Sequence, residues 1–239
     1  LCVVQEPMYR NYKNISYLVP DNIFSPSSEE VADLVLASEK FSYDSSIDYE
    51  DTIIFKNQDN IYRIYKNGLL EYRYISSQAR AGENEIAEAF VQAYRFIKRI
   101  SENFVSGAGV YLSGAQMNKE HGTFEFTFDY MVDGMPVVFD YNSGKEGQDS
   151  INNAIVIEAN SKRVLYCKWL LKEFDRSREN KYDVGVENII DKLLKYSDLS
   201  VRDIHAAYVV KSDEGKGIEP SWVVEKMDDS RYIIVMNRE

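Results

Sequence analysis

The sequence predicts an α+β fold made of repeated units, each one helix followed by an antiparallel β-meander, with the helices packed on sheet faces. Three observations point there. Segments with apolar residues at helical spacing alternate with runs of short strands. The strand runs are punctuated by tight-turn dipeptides such as Asn67-Gly68 and Asp133-Gly134, residue types that accept positive φ. Tyrosine is abundant, with 18 Tyr against 11 Phe and 2 Trp. Tyr is a strand former with a polar tip, so the Tyr-rich stretches are expected to be strands with one face near water. With 239 residues, 44% hydrophobic and 28% charged, the chain is long and apolar enough for one large domain or two small ones.

The boundaries predicted are an N-terminal α+β domain over 1–78 and a C-terminal α+β domain of two helix-plus-meander repeats over 79–239. The division falls in the small polar run Ser76-Ser77-Gln78-Ala79-Arg80-Ala81-Gly82. The first region opens with an extended segment ending near Phe24. Ser27-Ser28-Glu29-Glu30 then reads as a capping box, leading a short helix with Val31, Leu34, Val35 and Ser38 on one face. Strands follow at Thr52 to Lys56, Asn60 to Lys66 and Leu69 to Ile75, the last two joined by Asn67-Gly68.

The second region begins with a helix from Asn84 to Phe104. Its apolar face is read as Ile86, Phe90, Ala93, Tyr94, Ile97, Ile100 and Phe104. Glu83, Glu85 and Glu88 at its start and Lys98 and Arg99 near its end suit the helix dipole. Gly107-Ala108-Gly109 stops it. Strands are predicted at Val110 to Asn118, Thr123 to Val132, Met135 to Tyr141, Ala154 to Ala159 and Arg163 to Phe174. The third region repeats the order more briefly. Asp183 caps a helix carrying Val186, Ile189, Ile190, Leu193 and Leu194, and strands follow at Asp203 to Ser212, Pro220 to Met227 and Arg231 to Met236.

Net charge is −11, from 28 Lys and Arg against 39 Asp and Glu. Such a surface repels phosphate backbones and anionic lipid headgroups, so nucleic acid is not an expected partner. Two cysteines, Cys2 and Cys167, are too few for a disulfide framework, although one bridge between them is compatible with the count. No run of about 20 apolar residues marks a membrane span. The opening Leu1-Cys2-Val3-Val4 lacks an initiator Met, which fits removal of an upstream export signal or membrane anchor and also fits simple tag removal from a cytosolic protein.

Reactive constellations are sparse. His121 reads as a turn residue and His205 as a residue at a strand start, neither with a second histidine at metal-ligand spacing. Cys167 sits mid-strand and reads as a small buried hydrophobe rather than an activated thiol. The chain has no G-x-S-x-G elbow and no phosphate-binding loop. The loop Asp140-Tyr141-Asn142-Ser143-Gly144-Lys145-Glu146 spaces oxygen ligands as calcium loops do, but Lys145 stands at the position that needs Gly, and a solvated loop is expected. The expectations are therefore no catalytic residue, no metal and no cofactor. For interaction, Pro220, Trp222 and Trp169 are singled out: Pro220 opens a strand, and buried Trp side chains often anchor interfaces.

Several segments carry a family resemblance. Gly122-Thr123-Phe124-Glu125-Phe126 leading to Asp133-Gly134-Met135-Pro136-Val137 resembles the central hairpin of the YycH/YycI regulators and of PepSY-like modules. The likeness continues through Ile155-Val156-Ile157 and Val164-Leu165-Tyr166. The segment Glu219-Pro220-Ser221-Trp222-Val223-Val224, followed by Tyr232-Ile233-Ile234-Val235, is similar to the close of YycI-type domains. Ser221 stands where Ala is usual, and Met236-Asn237 departs from the common ending. The resemblance runs from about Asn84 to Asn237. It implies the extracytoplasmic domain of a single-pass membrane protein that modulates a sensor histidine kinase controlling cell-wall metabolism. The implied partners are that kinase and a sister regulatory protein. A secreted PepSY-like inhibitor or ligand-binding module, acting on a protease or peptide, is the alternative, and a hydrolase with an unrecognised site is the third class.

Overall fold

The computed structural model describes residues 9–18, 44–47, 52–76, 85–139, 153–194, 200–210, 218–227 and 231–238. The expected helix from Ser27 to Ser38, the oxygen-rich loop from Asp140 to Glu146 and Cys2 lie outside the described residues. The first strands are β1 (Tyr9–Leu18), β2 (Asp44–Ile47), β3 (Ile53–Lys56), β4 (Asn60–Ile64) and β5 (Leu69–Tyr74). Helix α1 (Ile86–Phe104) is followed by β6 (Gly109–Asn118), β7 (Thr123–Val132), β8 (Met135–Phe139), β9 (Ile155–Ala159), β10 (Val164–Leu170) and β11 (Glu173–Asp183). Helix α2 (Val186–Leu193) then precedes β12 (Val201–Val210), β13 (Pro220–Lys226) and β14 (Arg231–Val235).

The result is a mostly-β α+β fold, and among the described residues its strands pair antiparallel except for β8 with β12. A twelve-stranded sheet runs β14-β13-β12-β8-β7-β9-β10-β5-β4-β3-β2, with β6 attached to β7 off this path. Strand β7 is the hub. One edge pairs with β6, while the other is shared by β9, along Phe124 to Phe128, and β8, along Tyr130 to Val132. The β5–β10 ladder, from Leu69↔Leu170 to Arg73↔Tyr166, carries the sheet across the boundary expected near residue 78. One hydrophobic core likewise contains Phe55, Tyr62 and Ile64 together with Phe126, Ile157 and Trp169.

Two differences from the expected elements have clear causes. The segment read as one strand to Phe174 breaks at Leu171-Lys172, and β11 departs to pair with β1 in a separate two-stranded sheet. Its sequence, EFDRSRENKYD, has no apolar alternation, so no periodic signal marks it as a strand. On α1 the buried ridge is Ala89, Ala93, Phe96, Ile97, Ile100 and Phe104, while Ile86 and Tyr94, expected inside, are 51% and 52% exposed. The small Ala89 and Ala93 let the helix approach the sheet closely, which turns its flank toward solvent. Nor do Lys98 and Arg99 serve the helix end: the last turn holds no basic residue.

Tyrosine fills its expected half-exposed role only in part: Tyr74, Tyr111, Tyr166 and Tyr232 are half-buried on their strands, but others lie in the core. Tyr62, Tyr130 and Tyr208 are almost wholly buried. Burial of a phenol demands a partner for its hydroxyl. The Tyr130 hydroxyl donates to the Leu170 carbonyl at 2.7 Å, and that of Tyr208 to the Lys13 carbonyl at 2.6 Å.

Candidate functional site

Both flanks of α1 are chemically distinctive. On one flank Phe90 reaches β7, 5.6 Å from the ring of Phe126 and 6.3 Å from that of Phe128. These rings lie opposite Ala115 and Leu112 of β6. Paired residues of an antiparallel ladder share a face, so β6 extends the helix-covered face outward. There it exposes Leu112 at 44% and Met117 at 55%. Among the described residues β6 pairs with β7 alone. No residue between Glu102 and Lys119 is charged, so the whole edge strand is uncharged in a chain where 28% of residues are charged.

The other flank borders a cavity of about 610 Å³ between α1, β4, β5 and the β9–β10 turn. Its walls carry the aromatic side chains Tyr62, Tyr72 and Tyr74. The Tyr62 and Tyr72 rings stack at 4.8 Å, and the Tyr72 hydroxyl donates to Asn60 Oδ1 at 2.8 Å. Arg95, Lys98 and Arg99 project from α1, and Lys162 and Arg163 come from the turn. Two carboxylates, Asp59 and Glu102, complete the charged lining.

Local hydrogen bonds fix these groups in place. Asn160 Oδ1 accepts from the backbone N–H groups of Lys162 and Arg163, each at 2.9 Å, an Asx turn that holds both cations at the rim. Gln92 Nε2 donates to the Ser161 carbonyl at 3.3 Å and ties the helix to that turn. The guanidinium of Arg163 sits 4.4 Å from the ring centre of Tyr74, and that of Arg99 5.9 Å from Phe96. Burial, foremost, pushes the Tyr62 phenol well above its ordinary range. This tyrosine is therefore neutral and unsuited to act as a base.

The residues singled out from sequence fall elsewhere. Trp169 is fully buried, its Nε1 donating to the Tyr130 hydroxyl at 2.8 Å. Its side chain has no accessible surface and packs in the hydrophobic core. Pro220 opens β13 as expected and is buried, its carbonyl accepting from Met236 N–H. Trp222 is half-buried beside Ile189, Val224 and Ile234, under α2. Cys167 is a fully buried free thiol whose pKa burial pushes well up. His121 lies in the turn before β7, and His205 Nδ1 lies 3.0 Å from Asp203 Oδ2 on β12. Among the described residues no group of three or more His, Cys, Asp and Glu is placed to hold a metal ion. No described helix is long and apolar enough to cross a membrane.

Sequence reading missed the cation-lined cavity, although a signal existed. Arg95, Lys98 and Arg99 form one basic side of a helix in an acidic chain, and Lys162-Arg163 is a basic pair in a turn. Nothing in one dimension says that the two meet.

Comparison with known proteins finds no matching family and no matching curated protein. Among solved structures, YycH from Bacillus subtilis aligns with a TM-score of 0.49 at 12% identity, over 82% of this chain and 51% of the other. This chain thus spans about half the length of that YycH chain. The YpeB C-terminal domain from Bacillus megaterium aligns with a TM-score of 0.47, also at 12% identity, over 90% of this chain and 97% of the other.

Proposed function

We propose that this chain is the extracytoplasmic part of a membrane-anchored, non-enzymatic regulator of YycH/YycI type. It modulates a sensor histidine kinase by protein contact, together with a sister regulatory protein. The motif resemblance through Gly134-Met135-Pro136-Val137 and Pro220-Ser221-Trp222 supports the class. The observation that carries the contact function is the β6 edge. Natural sheets blunt exposed edges with charge, proline or cover. This ten-residue strand has no charge and no proline, and it exposes Leu112 and Met117. Such an edge accepts another chain, through main-chain hydrogen bonds along β6 and apolar side chains on the face beside α1. Trp222 is a second contact candidate, because the residue is only half-buried.

Strand order supports a repeat reading of the fold. Units β2–β5 and β6–β10 meet through their last strands, β5 and β10, which leaves the first strands β2 and β6 at outer edges. On this reading duplication itself generates the free edge.

The test uses the full-length membrane protein with its kinase. A photocrosslinking residue at Ala115, exposed between Leu112 and Met117 on the same face of β6, is expected to capture the kinase or the sister regulator. The double variant Leu112→Lys/Met117→Lys is expected to lose that capture and to alter kinase-dependent transcription. Unchanged capture and unchanged transcription in the double variant would overturn the proposal. Capture of a protease instead would favour an inhibitor.

A further inference from the structure

We propose that the cavity beneath the basic flank of α1 binds a small, multiply charged oxyanion bearing phosphate or carboxylate groups. This site is separate from the β6 edge and does not depend on it. The chain has 39 acidic against 28 basic residues, yet the cavity lining has five cations, Arg95, Lys98, Arg99, Lys162 and Arg163, against two carboxylates. One of those carboxylates, Glu102, lies toward the end of α1 and faces Lys98 at 3.8 Å. The local balance is the reverse of the global one.

The cations come from two separate elements, α1 and the β9–β10 turn, and line one cavity of about 610 Å³. That volume lies within the range of roughly 300–1,000 Å³ usual for small-molecule sites. Two elements that bring like charges to one space work against folding. A bound anion converts that repulsion into attraction.

Three of the five cations are arginines, whose planar fork matches a carboxylate or phosphate with paired hydrogen bonds. The Arg163 guanidinium lies 4.4 Å over the centre of the Tyr74 ring, a cation–π position that holds it at the cavity wall. The Asx turn at Asn160 fixes the backbone that carries it. Tyrosine rings on the remaining wall suit a ligand with a carbon body between its charged groups.

Calorimetric titration of the chain tests this, with pyrophosphate and citrate as probes and sodium chloride as the ionic-strength control. Saturable one-to-one binding of at least one probe is expected. Tighter binding of pyrophosphate assigns a phosphate ligand, and tighter binding of citrate a carboxylate. Affinity is expected to fall at least 10-fold in Arg99→Gln/Arg163→Gln. It is expected to fall less in Arg163→Lys, which keeps the charge but loses the fork and guards against a misfolded double variant. Arg202→Gln, on β12, and Leu112→Lys/Met117→Lys are expected to bind as the parent does, so a failed cross-link at β6 leaves this result standing. Binding of neither probe above the chloride control overturns the proposal, as does parental affinity in Arg99→Gln/Arg163→Gln.

Discussion

The Trp169 indole, the Tyr130 hydroxyl and the Leu170 carbonyl form a buried relay in which each polar group is satisfied by the next. Removing the middle member strands the outer two. Tyr130→Phe is expected to cost about 1–3 kcal/mol, because the Trp169 N–H is left buried without an acceptor. Tyr94→Phe, on the exposed flank of α1, is expected to stay within about 0.5 kcal/mol. Urea unfolding with an unchanged m-value checks both, and equal effects from the two variants would remove the relay as a source of stability. The tyrosines also set an alkaline limit. Burial, followed by the carboxylate of Asp129, pushes Tyr111 up to about 12, and burial followed by Asp133 pushes Tyr208 up to about 12. An unfolded tyrosine titrates near pH 10. The folded state therefore keeps protons that the unfolded chain releases, and their stabilisation, complete below pH about 10, is lost as pH rises toward about 12. Tyrosinate absorbance is expected to rise together with loss of β-sheet circular dichroism in that window. Full titration near pH 10 with the sheet intact would contradict the burial. The sequence identified these residues as strand formers, but not which of them have an interior partner. Tyr130 and Leu170 belong to different strands, and alternation along either says nothing about the other.

At the scale of elements, turns were the most legible feature, because their chemistry is local. Asn67-Gly68 and Asp133-Gly134 fall where expected, with Gly68 at φ 83°, Asp133 at 50° and Gly134 at 80°. The Gly107-Ala108-Gly109 segment has a stricter reason than ending a helix. Gly107 has φ 75°, and a Cβ there would lie 1.9 Å from the Phe174 carbonyl oxygen of β11. Gly107→Ala is expected to cost at least about 3 kcal/mol, from backbone strain plus displacement of β11. Gly134→Ala has a similar φ and nothing within 4 Å, so its cost is confined to about 1–2 kcal/mol of strain. Thermal unfolding of the two variants measures the difference, and equal losses would remove the role assigned to the β11 approach. Helix α1 was legible in its extent and in most of its inner face, where Ala93, Ile97, Ile100 and Phe104 are buried as expected, but not at Ile86 and Tyr94, which are exposed. Apolar residues cover more than one side of it, so period alone could not choose between the Ala89–Ala93 ridge and the Ile86–Tyr94 stripe.

For the whole molecule, the balance between charge and contact sets behaviour. A net charge of −11 keeps copies of the chain apart, while the uncharged β6 edge is the local exception. What the sequence alone determined is the class of fold and the extent of most strands, because residue period and turn chemistry act within a few residues. Tertiary structure alone decided the order of strands, including the β5–β10 ladder and the parallel β8–β12 pair. It also decided the convergence of Arg99 and Arg163 on one cavity. Those features depend on which distant surfaces can be buried together, and a pairing between remote segments leaves no periodic trace in either of them.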